Sequence, residues 1–586
     1  MKIIYNRVAI PVIKELPIIL VFFMFIRTSV VELFTVLDWS GWDCLVTLSL
    51  WFLYAYFMAA SISVVKKPWL RWLWYILLYA VFALAFFIGS LFEMRISPTL
   101  FTLLFETNGR ESGEFLETYG LCAESISVYK KLVAYIVITI LLEYVYRRYV
   151  LPRIGSVRSR VGSYIISIII SCVLCIGIYG CGRSIDYFRL NSVYGTDLLE
   201  YPAEDIYTRL VCSLYISYNS CDDIEKAIDA SLHVVDTPTI IEGHDSLKII
   251  FVIGESYNKT HSGLYGYSLP TTPNLQKQKE NGNLYVFSDV ITPYNYTSMS
   301  MKNMLSCNSL RDSEKWYDYP FFPLLFRKAG YDVCFWDNQR DMYNDYNCQY
   351  AVNSYLYNDN LSEKVYSQNN KAVYQYDEQL IDDYRELHSN QDQSKSFVLF
   401  HLLGQHLGYG LRYPHTKQFI NFTLDDIHRT DAFLDTMKKQ MIADYDNATC
   451  YNDYVVSQII DIFSKDNAVL VYLSDHGEEI YDYRDFWGRS YTETVTPQYL
   501  ECQFDIPFMI WCSDRFMANY PETIQRIQES VNKPFMIDNV CQLFFHLGKI
   551  QTTYYHPERD LLSPAYVSKD RMIRGGAVNY DQIMKK

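Results

Sequence analysis

Leu470-Val471-Tyr472-Leu473-Ser474-Asp475-His476-Gly477-Glu478 is an apolar run that stops at a carboxylate and an imidazole. An earlier run, Val252-Ile253-Gly254-Glu255-Ser256, also stops at a carboxylate. Strands that are covered on both faces are continuously apolar, and the ligands of a parallel sheet collect beyond the carboxyl ends of its strands. The two stretches therefore predict two strand ends that meet at a ligand site.

From residue 246 onward, short apolar runs alternate with stretches of helical character, which is typical of a mainly parallel α/β sheet. The predicted strands are Lys248–Ile253, Leu284–Val290, Asp332–Trp336, Phe397–Leu402, Ala468–Leu473 and Phe508–Trp511. Residues 246–586 are therefore predicted to form an α/β domain with a mainly parallel central sheet.

A threonine completes the candidate site. Thr297 stands 42 residues after Glu255 and follows the second predicted strand by a short loop. Each candidate taken singly is more typical of a turn, a cap or a solvated side chain, but their order and placement favour a shared site. Two carboxylates, an imidazole and a hydroxyl suit zinc, and a hydroxyl becomes a strong nucleophile when a metal lowers its pKa. The set Glu255, Thr297, Asp475 and His476 predicts group transfer through a covalent enzyme intermediate.

The first 182 residues contain five apolar runs, each about long enough to cross a bilayer. They lie near residues 9–26, 45–65, 70–92, 131–149 and 163–182. Basic residues cluster before the first run, between the second and third, and between the fourth and fifth, so these segments are predicted to face the cytoplasm. An odd number of spans then places everything after residue 183 outside the cytoplasm.

The segments around the membrane runs give two further predictions. Residues 183–245 are predicted to form an interfacial bridge between the transmembrane domain, residues 1–182, and the α/β domain. In residues 93–130, Ser97-Pro98 is typical of a helix start, after which Thr107, Glu111 and Glu114 fall close to one helical face. That helix either lies on the membrane surface or turns its polar face to a lipid headgroup.

The charge of the chain limits its partners. The formal net charge is −14, and no basic stripe is present to neutralise phosphates. A nucleic-acid partner is therefore not expected, whereas a solvated external surface and a metal site with carboxylate ligands are consistent with this charge.

Further motifs accompany the candidate ligands. Gly254-Glu255-Ser256 is followed by Ser262-Gly263-Leu264-Tyr265-Gly266-Tyr267, Thr271-Thr272-Pro273-Asn274-Leu275, Tyr445-Asp446-Asn447, Tyr451-Asn452-Asp453-Tyr454 and Asp475-His476-Gly477-Glu478-Glu479. With the five apolar runs, they resemble over nearly the whole chain the phosphoethanolamine transferases of the alkaline phosphatase/sulfatase superfamily. These include the lipid A and lipopolysaccharide-core transferases and the mobile colistin-resistance enzymes.

This resemblance implies a multi-pass protein of the bacterial inner membrane with five transmembrane helices and a periplasmic catalytic domain. It implies one zinc ion held by Glu255, Thr297, Asp475 and His476. Thr297 would attack the phosphorus of phosphatidylethanolamine, carry the phosphoethanolamine and pass it to a lipopolysaccharide acceptor, either lipid A or a core sugar, or to another envelope glycan.

The resemblance also implies residues on the substrate side of the site. His406 resembles the family's substrate-side histidine, a general acid/base or second-metal ligand, and Asn338 could donate to a phosphoryl oxygen. Thr107 and Glu111 repeat the Thr-x3-Glu spacing of the headgroup-contacting helix, and Glu111 could pair with the ethanolamine ammonium. Leu103 stands where that helix has asparagine.

Two departures point to the core-modifying branch. The stretch from Tyr294 to Asn303 lacks the cysteine pair that brackets the nucleophile in the lipid A branch, and the stretch from Tyr481 to Gly488 is closer to the core branch. Where that branch tends to have histidine, this chain has Arg489, which can clamp a phosphate but cannot ligate zinc. A second catalytic zinc is therefore not expected.

Three other functions match the sequence to different degrees. A sulfatase needs Cys or Ser in a C/S-x-P-x-R context for formylglycine, and the residues after Thr297 hold neither the proline nor the arginine. A phosphoglycerol transferase of the lipoteichoic-acid type shares the spans, the metal shell and the threonine. A non-catalytic membrane sensor or scaffold is the alternative from another class, and the intact ligand set argues against it.

Overall fold

The computed structural model describes residues 10–25, 41–65, 67–107, 109–154, 160–190, 206–219, 221–241, 246–340, 352–388, 395–492 and 494–585. The chain divides into two compact units. The first consists of Met1–Phe101, Leu116–Tyr218 and Ser490–Thr492, and the second of Thr102–Phe115, Asn219–Arg489 and Glu493–Lys586.

The N-terminal region is helical. Its helices are α1 (Ile10–Lys14), α2 (Leu16–Phe25), α3 (Gly41–Val64), α4 (Pro68–Phe92), α5 (Pro98–Glu106), α6 (Gly109–Tyr119), α7 (Ala123–Val145), α8 (Leu151–Ile154), α9 (Arg160–Leu190) and α10 (Ile206–Asn219). Local chemistry sets the ends of α4. Pro68 begins the helix, where its missing N–H is harmless, and Glu93 ends it in the left-handed conformation.

Three helices among the described residues are long and apolar enough to cross a membrane: Gly41–Ile62, Pro68–Phe92 and Ala123–Arg153. They coincide with the second, third and fourth predicted spans. The fifth predicted span falls within α9, whose apolar part, Ser167–Arg183, is shorter than these three. The first falls on α1 and α2, and its first and last residues lie outside the described part of the chain. The count of five spans stays a prediction.

The predicted helix of residues 93–130 is divided in the structure. It begins as expected, because Ser97 Oγ accepts a hydrogen bond from the backbone N–H of Leu100 at 3.3 Å. It ends at Glu106, however, and α6 begins at Gly109. The prediction that Thr107 and Glu111 share one helical face is therefore wrong, since Thr107 lies between two helices.

Seven strands form the central sheet of the second unit. They are β1 (Leu247–Gly254), β2 (Leu284–Phe287), β3 (Asp332–Asp337), β4 (Gln368–Asn369), β5 (Ser396–His401), β6 (Asn467–Ser474) and β7 (Phe508–Cys512). Their order across the sheet is β2-β7-β6-β1-β5-β3-β4. All neighbouring pairs from β6 to β4 are parallel, and β7 is antiparallel to both β6 and β2. The prediction of a mainly parallel sheet is confirmed.

The sheet is covered on both faces. Every residue of β1 is buried, and its side chains alternate between two cores: Ile249, Phe251 and Ile253 lie in one, Ile250 and Val252 in the other. This alternation follows from the two-residue period of a strand. Burial on both faces explains why the sequence of β1 is continuously apolar rather than alternating.

Helices of the second unit contribute to both covers. In chain order they are α11 (Cys221–Leu232), α12 (Pro273–Glu280), α13 (Thr297–Met304), α14 (Phe322–Lys328), α15 (Val352–Leu356), α16 (Asp359–Val365), α17 (Asp377–Leu387), α18 (Thr436–Phe463), α19 (Pro497–Gln503), α20 (Asp514–Asn519), α21 (Pro521–Ser530), α22 (Val540–Leu547) and α23 (Tyr580–Met584). α14 and α22 contribute to the first core, and α17 and α18 to the second.

Short two-residue strands complete the second unit. They pair as Thr239–Ile240 with Ile550–Gln551, Val290–Ile291 with Phe535–Met536, Glu479–Ile480 with Trp487–Gly488, and Met572–Ile573 with Val578–Asn579. The predicted strand Leu284–Val290 is thus wrong as one element, because β2 ends at Phe287 and Val290 pairs elsewhere. The predicted domain boundaries stay predictions; the bridge region contains α10 in the first unit and α11 in the second.

Candidate active site

The two strand ends predicted to meet are neighbours in the sheet. β1 and β6 run parallel, with Gly254 paired to Ser474, so the next residues, Glu255 and Asp475, leave the sheet side by side. Gly254 is required at this point, because a Cβ there would lie 2.2 Å from the Tyr472 hydroxyl. The prediction that Glu255, Asp475 and His476 follow adjacent strand ends is confirmed.

Thr297 follows the short strand Val290–Ile291 by a short loop, as predicted. It is also the first residue of helix α13, which was not predicted. The turn before it is fixed to the Asp475 loop, because the Thr292 hydroxyl donates to the Asp475 carbonyl at 2.7 Å. Ser300, one turn into the helix, donates to the Tyr294 carbonyl at 2.9 Å and lies 3.0 Å from the Thr292 hydroxyl.

The four candidate residues lie together. The Thr297 hydroxyl donates to Glu255 Oε2 at 3.1 Å and is 3.2 Å from His476 Nε2. His476 Nε2 is in turn 3.4 Å from Glu255 Oε1 and 3.2 Å from Asp475 Oδ2. Glu255, Asp475 and His476 are fully buried, and Thr297 is half-buried. The hydroxyl of half-buried Thr297 therefore lies against a cluster of buried acidic groups.

The donor atoms fit a divalent cation. One ligand atom each from Glu255, Asp475 and His476 can be chosen so that all lie within 4.8 Å of one another. Asp475 Oδ2 is buried and has no hydrogen-bond partner within the described residues. Burial, together with the charge of Glu255, raises the pKa of Asp475 to about 7. Two buried carboxylates that face each other repel, and a shared cation lets both ionise.

The imidazole of His476 is oriented as a ligand. Its Nδ1 lies 2.8 Å from the Gly477 carbonyl oxygen, which can only accept, so Nδ1 carries the proton. Nε2 is then left with a lone pair that faces the two carboxylates. A guanidinium nitrogen of Arg489, Nη1, donates to the same Nε2 at 3.1 Å. Arg489 therefore lies at the site, and its predicted contact with substrate stays a prediction.

His406 lies on the loop after β5, where its charge environment includes Glu255 and Arg489. Burial lowers the pKa of His406 to about 4. The side chain is therefore neutral at pH 7 and can accept a proton there, but it has none to give up as an imidazolium. Its role as a catalytic residue stays a prediction.

Both polar atoms of the Asn338 side-chain amide have hydrogen-bond partners within the protein. Its amide nitrogen donates to Asp377 at 2.9 Å, and its oxygen accepts from the backbone N–H of Tyr374 at 2.6 Å. The next residue, Gln339, is the one whose amide points to the site, since its Nε2 is 3.3 Å from Glu255 Oε2. The substrate contact of Asn338 stays a prediction, and Gln339 was missed although it adjoins the predicted strand end.

An ion pair near His406 was also missed. Arg412 Nη2 lies 2.5 Å from Glu114 Oε2, and the Arg412 side chain is fully buried. Glu114 also pairs with Arg110 at 3.1 Å. Burial raises the pKa of Glu114, but the bonds from Arg412 and the nearby His406 hold it below its ordinary value. Sequence spacing placed Glu114 on a polar face and gave no signal for its partner, 298 positions along the chain.

Thr107 and Glu111 are the two other residues expected to contact a lipid headgroup. The Thr107 hydroxyl donates to the Leu103 carbonyl at 2.6 Å. Glu111 lies in α6, but its side chain is outside the described part of the structure. Contacts of both residues with a lipid headgroup stay predictions.

Four of the sequence motifs bond to one another rather than supply the candidate ligands. Helix α18 carries Asp453, which accepts hydrogen bonds from the backbone of Asn274 and Leu275 at 2.9 and 2.8 Å. It also carries Asp446, which contacts His261 at 2.7 Å and accepts from the Tyr267 hydroxyl at 2.8 Å. The motifs of α18 and of residues 261–275 are thus bonding partners.

Comparison with known proteins agrees with this geometry. The chain is 23% identical over 595 aligned positions to the phosphoethanolamine transferase EptC of Escherichia coli (strain K12), covering 97% of this chain and 96% of the relative. The resemblance to phosphoethanolamine transferases inferred from the motifs is confirmed by this relative.

Solved structures share the fold. The integral membrane lipooligosaccharide phosphoethanolamine transferase A from Neisseria meningitidis aligns with a TM-score of 0.59 at 17% identity, covering 94% of this chain and 97% of that one. The C-terminal periplasmic domain of E. coli EptC, solved in complex with Zn, aligns with a TM-score of 0.50 at 25% identity, covering 59% of this chain and 95% of that one.

The family model described as Sulfatase matches residues 248–545. The match begins within β1, the strand that presents Glu255, and spans the sheet, Thr297 and the Asp475-His476 loop. This chain belongs to the sulfatase family.

Proposed function

We propose that this protein is a membrane-bound phosphoethanolamine transferase that moves phosphoethanolamine from phosphatidylethanolamine to a lipopolysaccharide acceptor. One observation carries the proposal: the hydroxyl of half-buried Thr297 lies 3.1 Å from Glu255 Oε2 and 3.2 Å from His476 Nε2, beside Asp475. A threonine in such a cluster is suited to nucleophilic attack, and the relative EptC, which matches nearly the whole chain, is named a phosphoethanolamine transferase.

Glu255, Asp475, His476 and Thr297 would hold one zinc ion. When bound, zinc lowers the pKa of the threonine hydroxyl and neutralises charge on the phosphoryl oxygens. The fit rests on the unpartnered Asp475 oxygen and on His476 Nε2, which faces Glu255 and Asp475 and accepts a hydrogen bond from Arg489. The Zn complex of the E. coli EptC domain is consistent with this choice of metal.

The chain's own residues account for the other parts of the reaction. Thr297 Oγ gives up its proton and bonds to the donor phosphorus while the phosphorus–oxygen bond to diacylglycerol breaks. The departing oxygen takes up one proton, so no net proton is gained or lost. Thr297 begins α13, so the first N–H groups of that helix have no helical carbonyl partner and can meet the phosphoryl oxygens. The Arg489 guanidinium, which lies beside His476, adds a positive charge that can pair with the negative phosphoryl oxygens.

In the second step an acceptor hydroxyl or phosphate oxygen attacks the phosphorus and Thr297 leaves with a proton. His406 is the candidate base for this step: burial keeps it neutral at pH 7, and its lowered pKa of about 4 makes it a weak base. The reaction is thus ping-pong, and the enzyme is free for the next donor lipid once Thr297 is unloaded.

The location follows from the helices and the donor. Three described helices are long and apolar enough to cross a membrane, and the donor is a membrane lipid. We place the protein in the bacterial inner membrane, with the sulfatase-like domain in the periplasm. The missing cysteine pair around Thr297 and the stretch from Tyr481 to Gly488 favour a core sugar over lipid A as the acceptor.

Mass spectrometry of envelope glycolipids tests the function. Cells with the gene should contain glycolipids that carry an added phosphoethanolamine, and cells without it or with Thr297→Ala should lack this addition. The mass also separates the alternatives, since phosphoglycerol differs from phosphoethanolamine. Unchanged glycolipids in cells that express folded, zinc-loaded protein would contradict the proposal.

A further inference from the structure

The turn after Glu255 is strained. Ser256 has a φ of 56°, in the left-handed region that residues other than glycine avoid. Two hydrogen bonds show what this conformation achieves. The Ser256 backbone N–H donates to Asp475 Oδ1 at 3.2 Å, and its hydroxyl donates to Glu255 Oε1 at 2.7 Å. One strained residue thus orients both candidate carboxylate ligands.

A tyrosine from helix α18 holds this turn. The Tyr445 hydroxyl donates to the Ser256 carbonyl at 2.6 Å and accepts from the Asn258 backbone N–H at 2.7 Å. The single phenol oxygen therefore bonds the main chain on both sides of Tyr257. Strained backbone persists only where its surroundings over-determine it, and these two short bonds do so here.

Tyr445 is itself fixed in place. It is fully buried, and its ring meets His261 and Tyr409 edge-on, with centroids 5.2 and 5.0 Å away. Burial raises the pKa of Tyr445 well above its ordinary value, so the phenol keeps the proton that it donates to Ser256. The next residue, Asp446, contacts His261 and anchors this point of the helix.

We propose that Tyr445 is a positioning residue for the metal site, which acts through the Ser256 turn to set the orientation of Glu255 and Asp475. This deepens the proposed function and rests on it, because it concerns the same zinc ligands. It assigns a role to the Tyr445-Asp446-Asn447 motif, which the reaction itself does not use.

The test is the zinc dissociation constant of the detergent-solubilised full chain, measured by competition with a chelating indicator. Tyr445→Phe removes the phenol oxygen and keeps the ring. It should weaken zinc binding about tenfold, which is the low end of the loss expected when a residue that supports metal ligands is mutated. Tyr451→Phe is the matched control: this buried tyrosine lies on the same helix, but its hydroxyl accepts from the Glu378 backbone instead. It should leave zinc affinity within about twofold.

A second pair of variants tests the route through the turn. In Ser256→Gly the glycine adopts the left-handed conformation without strain. Adding Tyr445→Phe to this variant should therefore weaken zinc binding clearly less than Tyr445→Phe does in the wild-type protein. Ser256→Ala keeps the strain and removes the bond to Glu255, and it should weaken zinc binding even if Tyr445→Phe does not fold. The zinc concentration for half-maximal transfer should shift with the dissociation constant, while activity at saturating zinc is largely kept.

Unchanged zinc affinity in folded Tyr445→Phe, an equal loss in Tyr451→Phe, or an equal effect of Tyr445→Phe in the Ser256→Gly background would each overturn the role of Tyr445. Unchanged affinity in Ser256→Ala would do the same. Zinc binding needs neither donor nor acceptor, so the outcomes are separable from the proposed function. A wild-type protein that binds zinc but transfers nothing would contradict the transferase alone.

Discussion

The hydroxyl of Thr297 lies 3.1 Å from Glu255 Oε2, although the two residues belong to different elements, one at the start of a helix and one after a strand. The contact joins the candidate nucleophile to the candidate metal site. Its chemistry depends on the carboxylates around it, which gives the first prediction.

Asp475→Asn should abolish zinc binding and transfer but should stabilise the metal-free protein near pH 8. The reason is that buried Asp475 and Glu255 repel without a cation, and burial with Glu255 raises the pKa of Asp475 to about 7. The pKa of this acidic group is higher in the folded than in the unfolded state. Such a group lowers the free energy of unfolding once the pH exceeds its unfolded pKa, and the loss is largest above pH 7. Melting temperatures of both proteins, with a chelator and with zinc, check this. A lower melting temperature of the variant in chelator would contradict it.

Breaking the ion pair between Glu114 and Arg412 should destabilise the protein. Glu114→Gln removes the charge opposite the fully buried Arg412 guanidinium, and removing one partner of a buried pair costs about 3 kcal/mol. Glu114 remains 13% exposed, so screening makes the loss smaller. Thermal unfolding measures it. Glu117→Gln, at an exposed position of the same helix, is the control and should change stability by about 0.5 kcal/mol or less. Equal effects of both variants would count against the pair.

Stability should fall as pH rises toward 10 because of His261. Burial lowers the pKa of His261, but Asp446 and Asp482 outweigh burial and raise it to about 10. A group whose folded pKa is raised contributes stability that is complete below its ordinary pKa of 6.5 and is lost as pH rises through about 10. The loss should be on the order of a few kcal/mol.

Unfolding by denaturant between pH 6 and 10, compared with His261→Gln, measures this contribution. The variant should be less stable at pH 6 and should lose less stability as the pH is raised. Parallel curves for the two proteins would show that His261 is not charged between its two carboxylates.

The sequence predicted the parts of the site that depend on local pattern. The apolar runs ending at Glu255 and at Asp475 define β1 and β6, and their burial on both faces follows from unbroken apolarity. Thr297 was predicted for the site, in a short loop after a strand, but not as the first residue of α13, because a helix of 8 residues is too short to show a clear apolar period.

The residues that were missed depend on tertiary contacts. Gln339 and Arg412 reach the site region through loops that follow strands, and their partners are Glu255 and Glu114. A loop carries no periodic signal, so its side-chain directions cannot be inferred from spacing. Likewise, the motif at Tyr445 could be recognised from the sequence, but its bonds to the turn after Glu255 required the folded helix.

The most direct test of the central claim is peptide mass spectrometry of the purified full chain after incubation with zinc and phosphatidylethanolamine, without an acceptor. We predict that phosphoethanolamine is found on the peptide that contains Thr297, that Thr297→Ala carries none, and that acceptor glycolipid removes it from the wild type. Transfer to acceptor with no adduct on Thr297, or an adduct that persists in Thr297→Ala, would contradict the account.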